Sequence, residues 1–500
     1  MNRPLAFFFA VLFVLTSKLL SAQAPINVLI IDGRNNHSWQ MVSKHLHGTL
    51  RMSDRFRVSI ATAPRNQTDF AKWLPRFADY QCVVSNYNGP LWPKAMREAF
   101  MKYMNDGGGC VFIHAANNAF SGWTEYDQMI GLGWRDAKYG YGVVIDPENN
   151  RMIRVPIGKG RGAGHGRKHP FAVTTRTPHP ITRGLPKVWL HGFDELYQGQ
   201  RGPAADMTVI LSSFADPRTG GSGEHVPMVW TIPVGKGRSV VCLMGHHWRK
   251  QARTDALRCI GYETIVERST EWAATGAVTL PKPARFPTAT KTEFFDSTAH
   301  LPIETPSPGI RFRVACVGDS ITFGSGIKDR STNCWPSVLG RKLGPPFDVG
   351  NFGVSGATLL SKSSQPYVGQ QAWKDSLAYD PHAVILMLGT NDTKVGDKLN
   401  ADAIEADLSA FIDTYRALKT SPRVFLVLPP PIFATRWGIN EKTLTEIVIP
   451  AIRRVGRARN CAVIDLHARM KGSDSLFPDS VHPNATGAAR MAAILHGRVF

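Results

Sequence analysis

The stretch Val317-Gly318-Asp319-Ser320-Ile321-Thr322-Phe323-Gly324 follows an apolar run from Arg313 to Val317 and leads into a helix-compatible segment. A serine at such a strand-to-helix turn is held with its hydroxyl exposed, and its own backbone N–H can face an oxyanion. The flanking glycines let a substrate come close. Gly-Asp-Ser alone also makes ordinary turns and helix caps, so reading Ser320 as a nucleophile needs support from elsewhere in the chain.

Three later stretches supply it. Asn351-Phe-Gly-Val-Ser-Gly356-Ala-Thr follows Phe347-Asp-Val-Gly, Leu386-Met-Leu-Gly-Thr-Asn391-Asp ends an apolar run, and Asp479-Ser-Val-His482-Pro-Asn lies near the C-terminus. Each stands where a strand is expected to give way to a loop. Strand ends along one edge of a parallel sheet gather into a single crevice, so residues far apart in the chain can meet there. In this order the four blocks resemble those of the SGNH (GDSL-type) hydrolases over residues 311–500, which implies a three-layer α/β/α domain with a parallel sheet. Residue by residue, the resemblance implies Ser320 as nucleophile, with Asp479 and His482 as its triad partners. It implies Gly356 and Asn391 as oxyanion donors beside the Ser320 N–H. The residue types fit: imidazole takes the serine proton, carboxylate orients the imidazolium, and fixed N–H donors meet the oxyanion. The plainer reading makes Asp479 a surface carboxylate, His482 a cap before Pro483 and Asn391 a turn-former. Both loops flanking the blocks, 325–333 and 392–398, are polar, which points to acetyl or similarly short esters. This chemistry requires no cofactor.

Residues 1–24 carry Arg3, an apolar core from Leu5 to Leu15 and Ala22-Gln-Ala24, the layout of a secretory signal peptide. The core is too short for a bilayer span, and nothing later has the apolar length of one, so an exported (periplasmic or secreted) protein without a membrane span is expected. Five hundred residues with 43% hydrophobic and 20% charged are globular but too long for one ordinary core. The seven cysteines show no Cys-x-x-Cys pattern and mostly sit in apolar runs, so buried thiols are expected, with Cys242–Cys259 the candidate bridge. A net charge of +20 permits an acidic partner. The basic residues are dispersed, however, and the densest group, Arg453, Arg454, Arg457 and Arg459, has the spacing of a solvated helix face, so a nucleic-acid partner is not expected.

Residues 279–310 shift to Pro, Thr and Ser and read as a linker. Before it, residues 25–278 alternate apolar strands with helix-compatible segments, as an α/β sheet requires. Candidate strands are 27–31, 56–61, 82–85, 110–114 and 239–243. The segments Asp32-Gly-Arg-Asn-Asn-His37, Val84-Ser-Asn-Tyr-Asn-Gly89, Gly107 to Phe120, Ile130-Gly-Leu-Gly-Trp-Arg135 and Leu190-His-Gly-Phe-Asp-Glu-Leu-Tyr197 resemble the ThuA-like (trehalose-utilisation) domains. That resemblance implies a doubly wound, glutamine-amidotransferase-like (flavodoxin-like) fold and a link to sugars. Where amidotransferase relatives would place a reactive cysteine, this chain has His114-Ala115, which disfavours that mechanism.

His37, His114, His191, Asp194 and Glu195 form the candidate site of this region. With His165, His169, His246, His247 and Asp32 they include metal-ligand types, but no pair has a secure helical ligand spacing, so no metal is assigned. Trp123, Glu125, Tyr126, Trp134 and Arg135 suit either a sugar crevice or simple loop packing. The expected protein is an esterase acting on an acylated carbohydrate. The alternatives are a bifunctional chain whose first domain is a second sugar-processing enzyme, and a carbohydrate-binding module with a degenerate esterase.

Overall fold

The computed structural model describes residues 24–53, 55–283, 285–304, 306 and 309–500. All but the last residue of the expected signal peptide lies outside them. Among the described residues no helix is long and apolar enough to cross a membrane.

The N-terminal half contains β1 (Ile26–Asp32), β2 (Phe56–Thr62), β3 (Cys82–Ser85), β4 (Gly109–Ile113), β5 (Gly142–Ile145), β6 (Met152–Val155), β7 (Gly164–His165), β8 (Ala172–Thr175), β9 (Val188–Leu190), β10 (Tyr197–Gln198), β11 (Thr208–Phe214), β12 (His225–Val234) and β13 (Gly237–Cys242). Eleven of them form one sheet, in the order β2-β1-β3-β4-β13-β12-β11-β8-β9 with β5 and β6 joined at β12, while β7 and β10 make a separate ribbon. From β2 to β13 neighbours run parallel, the doubly wound order expected from the sequence. Every residue of β3 and β4 is buried, as strands covered by helices on both faces must be.

Beyond β13 the sheet continues as an antiparallel wing that the sequence reading did not foresee. Its longest strand, β12, carries Pro227 and Pro233, and proline argues against a central strand because it cannot donate to the ladder. A second difference lies at His114, which was expected to end a strand. The strand stops at Ile113, and His114 turns out of it with φ 43°, a left-handed backbone uncommon for a non-glycine residue.

All seven cysteines are buried free thiols, so the Cys242–Cys259 bridge is not formed. Parts of the expected linker lie against the protein rather than free of it. The buried Glu271 carboxylate accepts the N–H groups of Thr279 and Leu280, Phe286 packs into the first core, and Ile303 packs into the second.

The C-terminal half has β14 (Phe312–Gly318), β15 (Phe347–Gly353), β16 (Ala383–Met387), β17 (Arg423–Val427) and β18 (Ala462–Ile464), an all-parallel sheet in the order β15-β14-β16-β17-β18. The helix Ala401–Arg416 shows how its cover is specified. Asn400 caps it by accepting the Asp402 N–H at 2.8 Å, and Ile404, Leu408, Phe411, Ile412 and Tyr415 make one buried stripe facing the sheet. Of the basic cluster, Arg453 pairs with Asp465, Arg454 with Glu405 and Arg459 with Asp413, so neighbouring elements neutralise much of that face.

Candidate active site

Ser320 opens the one-turn helix Ser320–Phe323 immediately after β14, the first strand of this sheet in chain order. Asp319 caps that helix, its Oδ1 accepting the Ile321 N–H at 2.9 Å. Gly353, at the end of β15, passes so close beneath that an added Cβ would lie 2.1 Å from the Phe323 nitrogen. The Asp479–His482 turn reverses the chain through Ser480 at φ 72° and brings both side chains to the same point.

His482 Nε2 accepts from Ser320 Oγ at 2.8 Å, and its Nδ1 donates to Asp479 Oδ2 at 2.7 Å. Asp479 Oδ1 accepts the backbone N–H of Val481 at 2.9 Å and of His482 at 2.7 Å. Partial burial pushes this carboxyl up, but those N–H groups and the imidazole outweigh it and hold Asp479 below its ordinary range. The carboxylate therefore stays ionised, with one oxygen fixing the turn and the other fixing the imidazole.

Gly356 has φ +81°, and a Cβ there would meet Gln365 Oε1 at 2.7 Å, so both backbone and space require glycine. Its N–H finds no acceptor among the described residues. The buried Asn391 amide donates one hydrogen to the Ala357 carbonyl at 3.1 Å, leaving the second available. Asp392 ties the two loops together by accepting the N–H groups of Leu359 and Leu360, each at 2.9 Å. The structure thus brings Ser320, Asp479 and His482 into one hydrogen-bonded chain and places Gly356 and Asn391 on loops joined beside it. Such a chain can move a proton off the serine, and free N–H groups can hold an oxyanion.

One residue of this site escaped the sequence reading. Trp437, 63% exposed, lies with its ring centroid 5.8 Å from that of His482. It sits in an irregular loop between β17 and β18, where no periodicity marks it.

In the N-terminal half, His37 follows β1, His114 follows β4 and His246 follows β13, so strand ends converge on one edge of the parallel part. His37, His114, Glu195 and His246 each bring one donor atom into a group lying within 4.8 Å of one another. Sequence spacing hid this group because four separate loops build it, and His246 was absent from the candidate site. His191 and Asp194, which were included, stand behind it. His191 Nε2 bonds Asp194 Oδ2 at 2.8 Å, and Asp194 also accepts the N–H groups of Glu195, Gly245 and His246. Burial pushes Asp194 up, but its bond to His191 and the surrounding imidazoles bring it to about 2. Burial holds His37 and His246 at about 2, so both rings are neutral.

A cavity of about 520 Å³, lined by Asn36, Trp134, His165, Lys168, Tyr197 and Trp248 among others, opens over His37 and Glu195. Trp123, Tyr126 and Arg135 are buried in packing, so the crevice reading fails for them, and Glu125 is exposed. Trp134 does line the cavity.

The second sheet presents a serine–histidine–aspartate chain of the kind that can carry out acyl transfer. Residues 27–273 match the ThuA (trehalose utilisation) family and residues 316–490 the GDSL-like lipase/acylhydrolase family. The N-terminal part thus belongs to the ThuA family, and it is followed by a segment that matches the GDSL-like model. A ThuA-like protein of Parabacteroides merdae is 35% identical, with 55% of this chain and 99% of that one covered at a TM-score of 0.52. An acetylxylan esterase of Xylanibacter ruminicola is 37% identical over 201 residues, which cover 37% of this chain and 42% of that protein. The chain thus spans less than half the length of this curated relative. An arylesterase of Agrobacterium tumefaciens is 24% identical, with 37% of this chain and 97% of that one covered at a TM-score of 0.31.

Proposed function

We propose that the protein is an exported acetylesterase that removes short acyl groups from a carbohydrate through a Ser320 acyl-enzyme. The observation that carries this reading is the unbroken chain Asp479–His482–Ser320, with links of 2.7 and 2.8 Å. His482 Nε2 takes the Ser320 proton as Oγ bonds to the acetyl carbon. The carbonyl electrons move to an oxyanion met by the N–H groups of Ser320 and Gly356 and the free Asn391 hydrogen. As the tetrahedral adduct collapses, the sugar oxygen leaves with the proton from His482. Water then repeats the sequence on the acetyl-enzyme and releases acetate.

Three observations favour a carbohydrate ester. A relative acts on acetylated xylan by its name. Trp437 offers an exposed aromatic face beside His482, the kind of surface on which a sugar ring can lie. The loops flanking Ser320 and Asn391 are polar and offer no long apolar channel.

The test uses the purified mature chain with acetylated xylo-oligosaccharides and a p-nitrophenyl ester series. Acetate release is expected, with kcat/KM falling steeply beyond about four acyl carbons. Ser320→Ala should remove nearly all turnover. Trp437→Ala should raise KM for the oligosaccharide more than for p-nitrophenyl acetate. A kcat/KM that rises from acetate to decanoate, or turnover preserved in Ser320→Ala, sinks the reading.

A further inference from the structure

The three imidazoles of His37, His114 and His246 form a nearly equilateral triangle, with ring centroids 5.1, 4.9 and 5.2 Å apart and planes at 86°, 86° and 71°. Ordinary core packing would give each buried nitrogen a hydrogen-bond partner. Here the inner nitrogens have no hydrogen bond, while the outer ones of His114 and His37 are bonded. His114 Nδ1 donates to the Leu243 carbonyl at 2.6 Å, while its buried Nε2 has no partner. His37 Nδ1 donates to Asn36 Oδ1 at 2.9 Å and Asn35 Oδ1 at 3.1 Å, which leaves its Nε2 with the lone pair. Neither ring nitrogen of His246 is hydrogen-bonded, although Nε2 lies 3.2 Å from Glu195 Oε1. A buried polar atom left without a partner is costly, so the arrangement calls for something at its centre.

We propose that His37, His114, His246 and Glu195 bind one divalent transition-metal ion of the zinc or manganese class, with an open position facing the adjoining cavity. Three neutral imidazoles and one carboxylate are the ligand types such ions take. The donor atoms, within 4.8 Å of one another, need only modest side-chain rotation to reach the roughly 3.4 Å edges of a tetrahedron with bonds of about 2.1 Å. Ligating histidines characteristically donate their other N–H to a carbonyl or carboxylate, and His114 and His37 already donate to carbonyl oxygens. Asp194 performs a related task on the backbone, accepting the N–H groups of Glu195 at 2.8 Å and His246 at 3.1 Å and so fixing two ligands at once. Lys168 at 3.6 Å and His165 at 3.8 Å approach the Glu195 carboxylate from the cavity side.

His37 and Glu195 line both the cluster and the 520 Å³ cavity, whose other walls include Trp134, Trp248, Asn36 and Asn118. Aromatic faces combined with amides are the lining a polyhydroxylated molecule fits. An ion at this edge would polarise a hydroxyl or carbonyl oxygen of that molecule. This goes beyond ester hydrolysis, which the Ser320 chain performs without a metal.

The test loads the full-length chain, free of any affinity tag and stripped with chelator, with Zn²⁺, Mn²⁺ or Co²⁺. Retained metal is counted after gel filtration, and affinity is measured by calorimetry. One ion per chain is expected for the wild type and for Ser320→Ala, which separates this result from the fate of the esterase reading. Glu195→Gln and His37→Ala, substitutions at the cavity wall, should each weaken binding by about a hundredfold or more, and Asp194→Asn by about ten- to a hundredfold. Azide added to the Co²⁺ protein should change its visible absorption spectrum if one position is open. Substoichiometric binding of all three ions, or wild-type affinity in both folded Glu195→Gln and His37→Ala, would falsify the site. An unchanged Co²⁺ spectrum would overturn the open position.

Discussion

One N–H of the Asn391 amide is fixed on the Ala357 carbonyl, so the side chain cannot rotate away when a substrate arrives. Asn391→Ala should therefore lower kcat by about a hundred- to a thousandfold with little change in KM, as steady-state kinetics on p-nitrophenyl acetate will read. Asp319 makes the opposite kind of contribution. It is fully buried, and burial pushes its carboxyl up to about 6 against the pull of the Ile321 N–H, Thr390 and His482. A raised folded value means that the folded state holds the proton more tightly than the unfolded chain does. The stabilisation is then complete below the ordinary 3.8 and is lost as pH rises through 6. At pH 8 the buried charge costs about 3 kcal/mol relative to acid conditions. Asp319→Asn keeps the cap oxygen and removes the charge. Its melting temperature should gain on the wild type between pH 4.5 and pH 8, and a constant difference across that range would refute the assignment. The grouping of Ser320, Asp479 and His482 was suggested by the sequence because Asp479 and His482 share one tight turn and Ser320 follows an apolar strand. Trp437 was not, since a lone tryptophan in an irregular loop carries no pattern until the fold sets it beside His482.

The five parallel strands of the first sheet could be read from short runs bounded by turn residues, most clearly Cys82–Ser85, which is buried on both faces. The antiparallel wing could not. Its strands mix prolines, polar residues and bulges, and their pairing is set by contacts between distant segments. His114 belongs to the same lesson: the apolar pattern runs to Ile113, and only tertiary contacts place the next residue in a left-handed turn. The segment before β14 carries a prediction at this scale. Composition marks it as a linker, yet Ile303 is buried in the second core, its N–H bonds the Val499 carbonyl at 2.6 Å, and Arg423 bonds the Leu301 carbonyl. Burial of one isoleucine is worth roughly 1.5–3 kcal/mol. A fragment of residues 301–500 should therefore unfold at a higher denaturant midpoint than one of residues 311–500, and both should hydrolyse activated esters. Equal midpoints would show that the strap adds nothing to this domain.

Across the whole molecule, both candidate sites obey one rule: chemistry gathers where the carboxyl ends of parallel strands release their loops. For the Ser320 site three of the four sequence blocks already carried that rule, each joining a strand end to its functional residue. Asp479 and His482, expected at a strand end, follow the helix Leu466–Met470 instead. For the histidine cluster the ligands come from four loops, and adjacency in space has no counterpart in spacing along the chain. The seven buried thiols have a use of their own. Four of them, Cys82, Cys110, Cys242 and Cys259, lie in the first half, and three, Cys316, Cys334 and Cys461, lie in the second. With no disulfides to hold either half together, an alkylating reagent reaches a thiol only when the surrounding core opens, so the mass increments gained over time form a tally of which half has come apart. Under mild denaturant the labelled species should appear in steps of four and three adducts if the halves open separately. A single jump to seven would mean that they unfold as one cooperative body.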